Sequence, residues 1–345
     1  LRAHAAPALA RLADGRLPEY KQEVCDSMFA ILKDKKADPA LQEGAVIALG
    51  ILGDSDNDAL DKEIRKELQK VASKRDDLTA RLGMVSLART SARAGENRPY
   101  SGLDSSRQWL SRQVTKDDLG RDTWAAMSLA ILAHDLVENG QAVPDEIVTT
   151  LRSALKRTKD DQLATSLCIS LGLLRDQESA DLFVQRFTGS DDDEVRGAAA
   201  LGLGLLEARD MAPSLKKAIL REDENVGVVR QSAIALRLMG DTSTTSALLE
   251  RLGAAEELDE KATIVSTLGI LHDPRAVPAV SAILGDEDEE DELRGVAAFA
   301  LAELADRSAQ SWSEPLSADL TYSILSWTLE SPFGDGSGVL DMRWW

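Results

Sequence analysis

The chain has 345 residues with 40 basic and 59 acidic side chains, a formal charge of −19, and 43% hydrophobic but only 4% aromatic residues. That balance works against nucleic acid and anionic lipid, both of which require clustered Lys and Arg. No apolar run approaches the ~20 residues of a membrane span, so membrane insertion is not expected.

In chain order, the opening LRAHAAPALARLAD reads as half a repeat, a second helix whose partner lies upstream. The first residue is Leu rather than Met, so the reading is that something upstream has been removed. Complete helix pairs are expected at about 18–53, 56–92, 103–138, 143–175, 177–208, 210–240, 242–271 and 273–306. Segment 94–106, AGENRPYSGLDSS, is the main irregular insertion and reads as a solvated surface loop. The clearest unit is Glu194–Arg209, EVRGAAALGLGLLEAR. It has a charged entry, an apolar middle and a charged exit, with Val195, Ala198, Ala199, Leu201, Leu205 and Leu206 at helical spacing. Such a helix cannot bury that stripe alone and needs a neighbour on each side.

The neighbours come from repetition. The large-then-small step Leu203-Gly204 recurs as Leu49-Gly50, Leu87-Ala88, Leu129-Ala130, Leu171-Gly172, Leu268-Gly269 and Leu301-Ala302, while Leu236-Arg237 keeps only the leucine. From Leu171 onward the intervals are 32, 33, 32 and 33 residues, and before it 38, 42 and 42. The later spacing is that of a two-helix solenoid repeat, and the earlier repeats carry insertions. A helical glycine costs roughly 1 kcal/mol against alanine. Gly50, Gly172, Gly204 and Gly269 at one phase therefore indicate close approach of a neighbouring helix. Asp54, Asp135, Asp176, Asp210, Asp241, Asp273 and Asp306 follow the repeated helix and are placed to cap the next one. Pro213, Pro274 and Pro278 suit first turns.

The pattern Asp-x-x-Val-Arg-x-x-Ala-Ala-x-Ala-Leu-Gly-x-Leu-Gly-Asp, best seen at Asp192–Asp210, Val229–Asp241 and Leu293–Asp306, resembles the HEAT-like repeat first associated with phycobilin lyase subunits. The resemblance covers nearly the whole chain. It implies an all-α fold, an α-solenoid of antiparallel helix pairs in an elongated, right-handed HEAT/armadillo-like superhelix. Residues 1–330 are then one solenoid of about eight helix pairs with half-repeats at the ends, and 331–345 a Gly-rich hinge with an aromatic tail. Proteins of this kind serve as scaffolds, adaptors, lyase subunits and a few enzymes.

The last part departs from the repeat. Pro315–Glu330 reads as a helix with Leu316, Leu320, Ile324, Leu325 and Trp327 on its apolar side. Pro332 and Gly334-Asp335-Gly336-Ser337-Gly338 break any helix. Four of six tryptophans, Trp312, Trp327, Trp344 and Trp345, lie beyond residue 310. Trp327, Phe333, Val339, Leu340, Met342, Trp344 and Trp345 are the candidate protein interface.

Acidic residues gather in turns, at 191–194, 222–224 and 286–292. Stacked turns would make an acidic ridge containing Asp192, Asp193, Asp286, Asp288, Glu290 and Asp291. It attracts a basic partner or serves helix capping and solubility. Cys25 and Cys168 lie repeats apart among apolar residues and read as buried hydrophobes. His134-Asp135 and His272-Asp273 read as the same turn of two repeats. A HEAT-like di-iron hydroxylase would carry several His-Glu pairs, and none occurs here. Cys-x-x-Cys, phosphate-loop and Gly-x-Ser-x-Gly motifs are also absent. Asp54-x-Asp56-x-Asp58 has the first three acidic positions of a calcium loop, with Ala59 in place of the tight-turn glycine and Arg65 in place of the bidentate Glu. Asp335-Gly336-Ser337-Gly338 is a weaker signal of that kind. Both read as turns.

The sequence thus points to a non-enzymatic scaffold or adaptor that binds protein partners, itself included, with no catalytic residues, metal or cofactor. Alternatives are an exported cell-surface or filament subunit assembling end to end, and a lyase-type subunit holding a tetrapyrrole. Cytoplasmic and exported locations both fit.

Overall fold

The computed structural model describes residues 2–15, 18–74, 78–116, 120–221, 223–241 and 243–305. Among these there are seventeen α-helices, three short 3-10 turns and no strand. The chain divides into two compact units, Leu1–Thr158 and Lys159–Trp345.

In the first unit, four helices stack in a row: α1 (Arg2–Ala13), α3 (Pro39–Leu52), α5 (Leu78–Ala92) and α7 (Arg121–Glu138). Each later member of the row is flanked by the helix before it, α2 (Pro18–Lys33), α4 (Ala59–Lys74) and α6 (Leu103–Val114), and α8 (Asp145–Arg157) ends the unit. Stacked helices are apolar nearly all round. In α5, Leu82, Met84, Val85, Leu87 and Ala88 are all buried. Flanking helices bury one side only, as α8 does with Ile147, Leu151, Ala154 and Leu155.

The second unit repeats the plan. Its row is α9 (Asp161–Leu173), α11 (Asp193–Leu205), α13 (Val226–Leu238), α15 (Leu258–Ile270) and α17 (Asp291–Ala305), flanked by α10 (Ala180–Gly189), α12 (Ala212–Leu220), α14 (Thr244–Ala254) and α16 (Val277–Gly285). Pro213, Pro274 and Pro278 all sit in first turns, where a missing N–H is harmless.

Local chemistry explains why α11 forms and where it stops. Asp192 Oδ1 accepts from Val195 N at 2.9 Å, and Asp193 and Glu194 place negative charge at the positive end of the helix dipole. Its fully buried Val195, Leu201 and Leu203 each contribute roughly 1.5–3 kcal/mol by leaving water. The helix ends in a Schellman turn, with Glu207 N donating to Gly204 O and Ala208 N to Leu203 O, both 3.0 Å. The reversing residue takes the left-handed conformation at Arg175, Glu207, Gly240 and His272 in the second unit, and at Gly15 and Gly140 in the first. Only three of these six are glycine.

His272 and His134 therefore do not occupy the same turn, contrary to the sequence reading. His272 is the left-handed residue after α15, whereas His134 and Asp135 lie inside α7, which runs on to Glu138 before Gly140 reverses the chain. From the step leucine to the reversing residue is 11 residues here (Leu129 to Gly140) against 4 after α15 (Leu268 to His272), and these roughly two extra helical turns carry the pair away from the cap. Asp135 consequently caps nothing downstream. Asp273 does cap, accepting from Arg275 N at 3.0 Å.

Candidate functional site

The densest polar constellation among the described residues lies in the first unit, where the loop after α3 meets the loop after α5. Asp54, Asp56, Asp58 and Asp61 form a closed ring of side-chain-to-backbone bonds. Asp54 Oδ1 accepts from Asp56 N at 2.9 Å, Asp56 Oδ1 from Asp58 N at 2.7 Å, and Asp58 Oδ1 from Asp61 N at 2.8 Å. Asp61 Oδ1 closes the ring, accepting from Asp54 N at 2.9 Å. This is Asx-turn and N-cap chemistry applied four times in succession.

Carboxylate oxygens of Asp54, Asp56 and Asp61 lie within 4.8 Å of one another, a spacing at which oxygen donors can share a cation. Two side-chain cations already answer this charge. Lys21 Nζ is 3.4 Å from both Asp61 oxygens and 3.7 Å from Asp54 Oδ2. The Arg65 guanidinium donates to the Asp54 carbonyl and, at 2.5 Å, to the Asp56 carbonyl. The residue in place of a calcium loop's bidentate Glu thus supplies positive charge to the loop it closes.

Burial pushes the Asp61 carboxyl up to about 6, with the Asp54 and Asp58 charges adding to the effect. Burial also raises Asp54. Burial alone would pull Lys21 down, yet Asp61 and Asp54 together hold its pKa above the ordinary value. Both members of the Lys21–Asp61 pair therefore hold their protons more tightly, as groups in a net-negative, partly desolvated pocket do.

The insertion between α5 and α6 clasps this loop. Ser55 Oγ donates to the Arg93 carbonyl at 2.5 Å and accepts from Tyr100 N at 3.0 Å. Gly102 N donates to Ser55 O at 2.6 Å, and Asn57 Nδ2 to Ser101 O at 3.1 Å. Arg93 turns its guanidinium onto the last carbonyls of α3, at Ile51, Gly53 (2.6 Å) and Gly50 (3.4 Å), a favourable place for a cation. Gly95 lies so close to Asp56 that a side chain there would overlap it. The insertion is exposed at Glu96, Asn97, Arg98 and Pro99, but its inner edge is a tie between consecutive repeats.

The four phase glycines all face the next helix of their row. A Cβ built on Gly50 would lie 2.7 Å from Ser86 Cβ, on Gly172 3.1 Å from Gly202 Cα, on Gly204 2.5 Å from Ala235 Cα, and on Gly269 2.9 Å from Ala300 Cα. Each contacted residue stands one place before the repeat leucine of the next helix, Leu87, Leu203, Leu236 or Leu301. The backbones approach so closely that neither partner has room for more.

Of the acidic residues, Asp192 is a cap and Asp193 Oδ1 pairs with Arg196 at 3.0 Å. Asp286, Asp288 and Glu290 are exposed between α16 and α17, and Asp291 is exposed at the start of α17. Asp286 Oδ1 accepts from Asp288 N at 3.0 Å, and Asp291 pairs with Arg294 at 3.1 Å. Two ion pairs, each with one buried member, were not foreseen. Arg196 forks onto the almost fully buried Glu224 at 2.7 and 2.6 Å. Arg251, itself buried, donates to the carbonyls of Ile219, Arg221 and Glu224 while pairing with Glu260 at 2.7 Å. Trp327, Phe333, Val339, Leu340, Met342, Trp344, Trp345 and the Asp335–Gly338 turn lie outside the described residues.

Rows of helices stacked at a fixed register, each flanked by a second helix, define an α-helical repeat protein of the solenoid class. Three overlapping segments, 148–237, 180–260 and 217–302, match the HEAT repeats family. Residues 148–302 thus carry HEAT-like repeats. No curated protein matches it in sequence. Among solved structures, human deoxyhypusine hydroxylase in complex with glycerol is similar at 17% identity, covering 74% of this chain and 88% of that one, with a TM-score of 0.33. An engineered protein is similar at 18% identity, covering 88% and 84%, with a TM-score of 0.37. At those scores neither lends its activity to this chain.

Proposed function

We propose that the protein is a non-enzymatic scaffold or adaptor that binds other protein chains, with a basic segment as the favoured partner. The observation that supports this most is the acidic run at 286–292, where Asp286, Glu287, Asp288, Glu290, Asp291 and Glu292 are all exposed. Local ion pairs are recorded for two of the seven carboxylates, Glu289 with Lys261 at 2.9 Å and Asp291 with Arg294. Such a surface steers a cationic partner and weakens with salt. The candidate contacts beyond it are Phe333, Val339, Leu340, Met342, Trp344 and Trp345, whose apolar bulk suits interface anchors. The Asp54–Asp61 ring supports the same reading, since its carboxylates are engaged in turns, in caps and with Lys21.

The test compares the wild type with Asp286→Lys/Asp288→Lys/Glu290→Lys and with a chain lacking residues 331–345. Cross-linking capture from the source extract is run at low and high salt. Basic partners held at low salt, lost in the triple variant and reduced in the truncation, support the proposal. Two results would overturn it in favour of other roles: a visible-band shift on mixing with a linear tetrapyrrole, or end-to-end polymers formed by the purified chain alone.

A further inference from the structure

We propose that the exposed side of α17 is a docking face for the chain's own segment 315–330. In the second unit α9, α11 and α15 each cover their small-residue side with the next helix of the row. Gly197, Ala200, Leu201 and Gly204 of α11 are all buried, and Gly204 lies against Ala235 of α13. The same register positions on α17 are Gly295, Ala298, Phe299 and Ala302, and all four are exposed, as is Ala305 one turn further on. Phe299 is 58% exposed, while Leu201 in its place on α11 is 0% exposed. The face thus has the composition of a buried surface, with a shallow floor of glycine and alanine beside one aromatic ring.

A floor of small residues is filled best by large side chains. Segment 315–330 carries them at helical spacing, with Leu316, Leu320, Ile324 and Trp327 falling within one quarter of a helical turn's circumference. Nine residues, 306–314, join it to α17. They span up to about 30 Å when extended, against about 22 Å for the fifteen-residue α17, so the segment reaches the whole face in either direction. The preceding repeats close this face with a helix of their own chain, and the tethered segment acts at an effective concentration that a second molecule does not match. On this proposal residues 339–345, beyond the glycine hinge in sequence, are left for a partner.

The test uses the full chain with engineered cysteine pairs. Cys25 and Cys168 are free and buried, so they do not compete. Ala302→Cys is combined with Leu320→Cys or Ile324→Cys, and, as a control on the opposite side of the helix, with Ala318→Cys. Mild oxidation at high dilution should give an intramolecular disulfide in at least one of the first two pairs and far less in the control. Disulfide-linked dimers instead would assign the face to a second copy and overturn the proposal, as would equal cross-linking of all three pairs or none. A second variant, Leu320→Asp/Ile324→Asp, is followed by hydrogen exchange. It should speed exchange across α17 by roughly tenfold or more while leaving α9 unchanged. Unchanged exchange in α17 would overturn the proposal even if the engineered cysteines perturb the fold.

Discussion

Gly204 and Ala235 meet so closely that a Cβ on the glycine would stand 2.5 Å from the alanine's Cα and 2.8 Å from its Cβ. From sequence, Gly204→Ala is expected to be mild or even stabilising, because alanine favours helix, and only Gly204→Leu to be harmful. The contact reverses the first expectation. The obstructing atom is backbone and cannot rotate away, so α11 and α13 must separate. Gly204→Ala should destabilise by about 1–3 kcal/mol, and Gly204→Leu by more. Gly253→Ala, with nothing within 4 Å of the added methyl, should instead stabilise by roughly 0.5–1 kcal/mol. Urea melts of the three variants check the order; equal stability of Gly204→Ala and wild type would refute the close-packing account.

Left-handed caps supply a gain in the other direction. Glu207 holds φ 54° and His272 φ 52°, a conformation that crowds the Cβ of any L-residue. Glu207→Gly and His272→Gly should each stabilise by about 0.5–1 kcal/mol after allowing for the greater freedom of glycine in the unfolded chain. Thermal melts of the single and double variants check this, with near-additive gains expected because the sites are far apart in sequence and lie in different turns.

Asp61 should make acid stabilising. Its folded pKa of about 6 lies above the unfolded value of roughly 3.9, so the folded state binds the proton more tightly. This contribution is full below the unfolded pKa and is lost as pH rises through 6. Asp273 behaves oppositely. Arg275 beside it holds its carboxyl well below the usual range, aided by Thr245, so its contribution is present above the unfolded pKa and lost as acid protonates it. Comparison with Asp61→Asn isolates the first effect. The stability of wild type relative to this variant should climb as pH falls from 7.5 to about 4 and then level. A flat difference would exclude Asp61 as the titrating group.

Both cysteines should be inert in the native chain. Burial pushes Cys25 and Cys168 each up to about 12, leaving almost no thiolate at neutral pH. Neither thiol should react with a neutral disulfide reagent at pH 8 until the helices open, and both should react in denaturant. Prompt native labelling of one thiol would show that its helix is not packed as described.

What the sequence determined by itself is the part of the structure that short-range chemistry controls. Asp192 lies three residues before the amide it caps, the apolar stripe of α11 repeats within a helical turn, and the Leu-small step recurs at a constant interval. That was enough to give the all-α repeat and the phase at which helices touch. Tertiary structure decided the rest, because the partners are distant in the chain. Arg93 reaches carbonyls 40 to 43 residues away, and Ser55 meets Arg93 across 38, so no local pattern announces the clasp that ties the acidic loop down. The same holds for Arg65: the spacing of Asp54, Asp56 and Asp58 reads as a turn, and only the fold revealed that the chain brings its own cation to it. His134 and His272 look alike as dipeptides, yet one is mid-helix and the other reverses the chain, because the end of a helix is set by which carbonyls find donors in three dimensions.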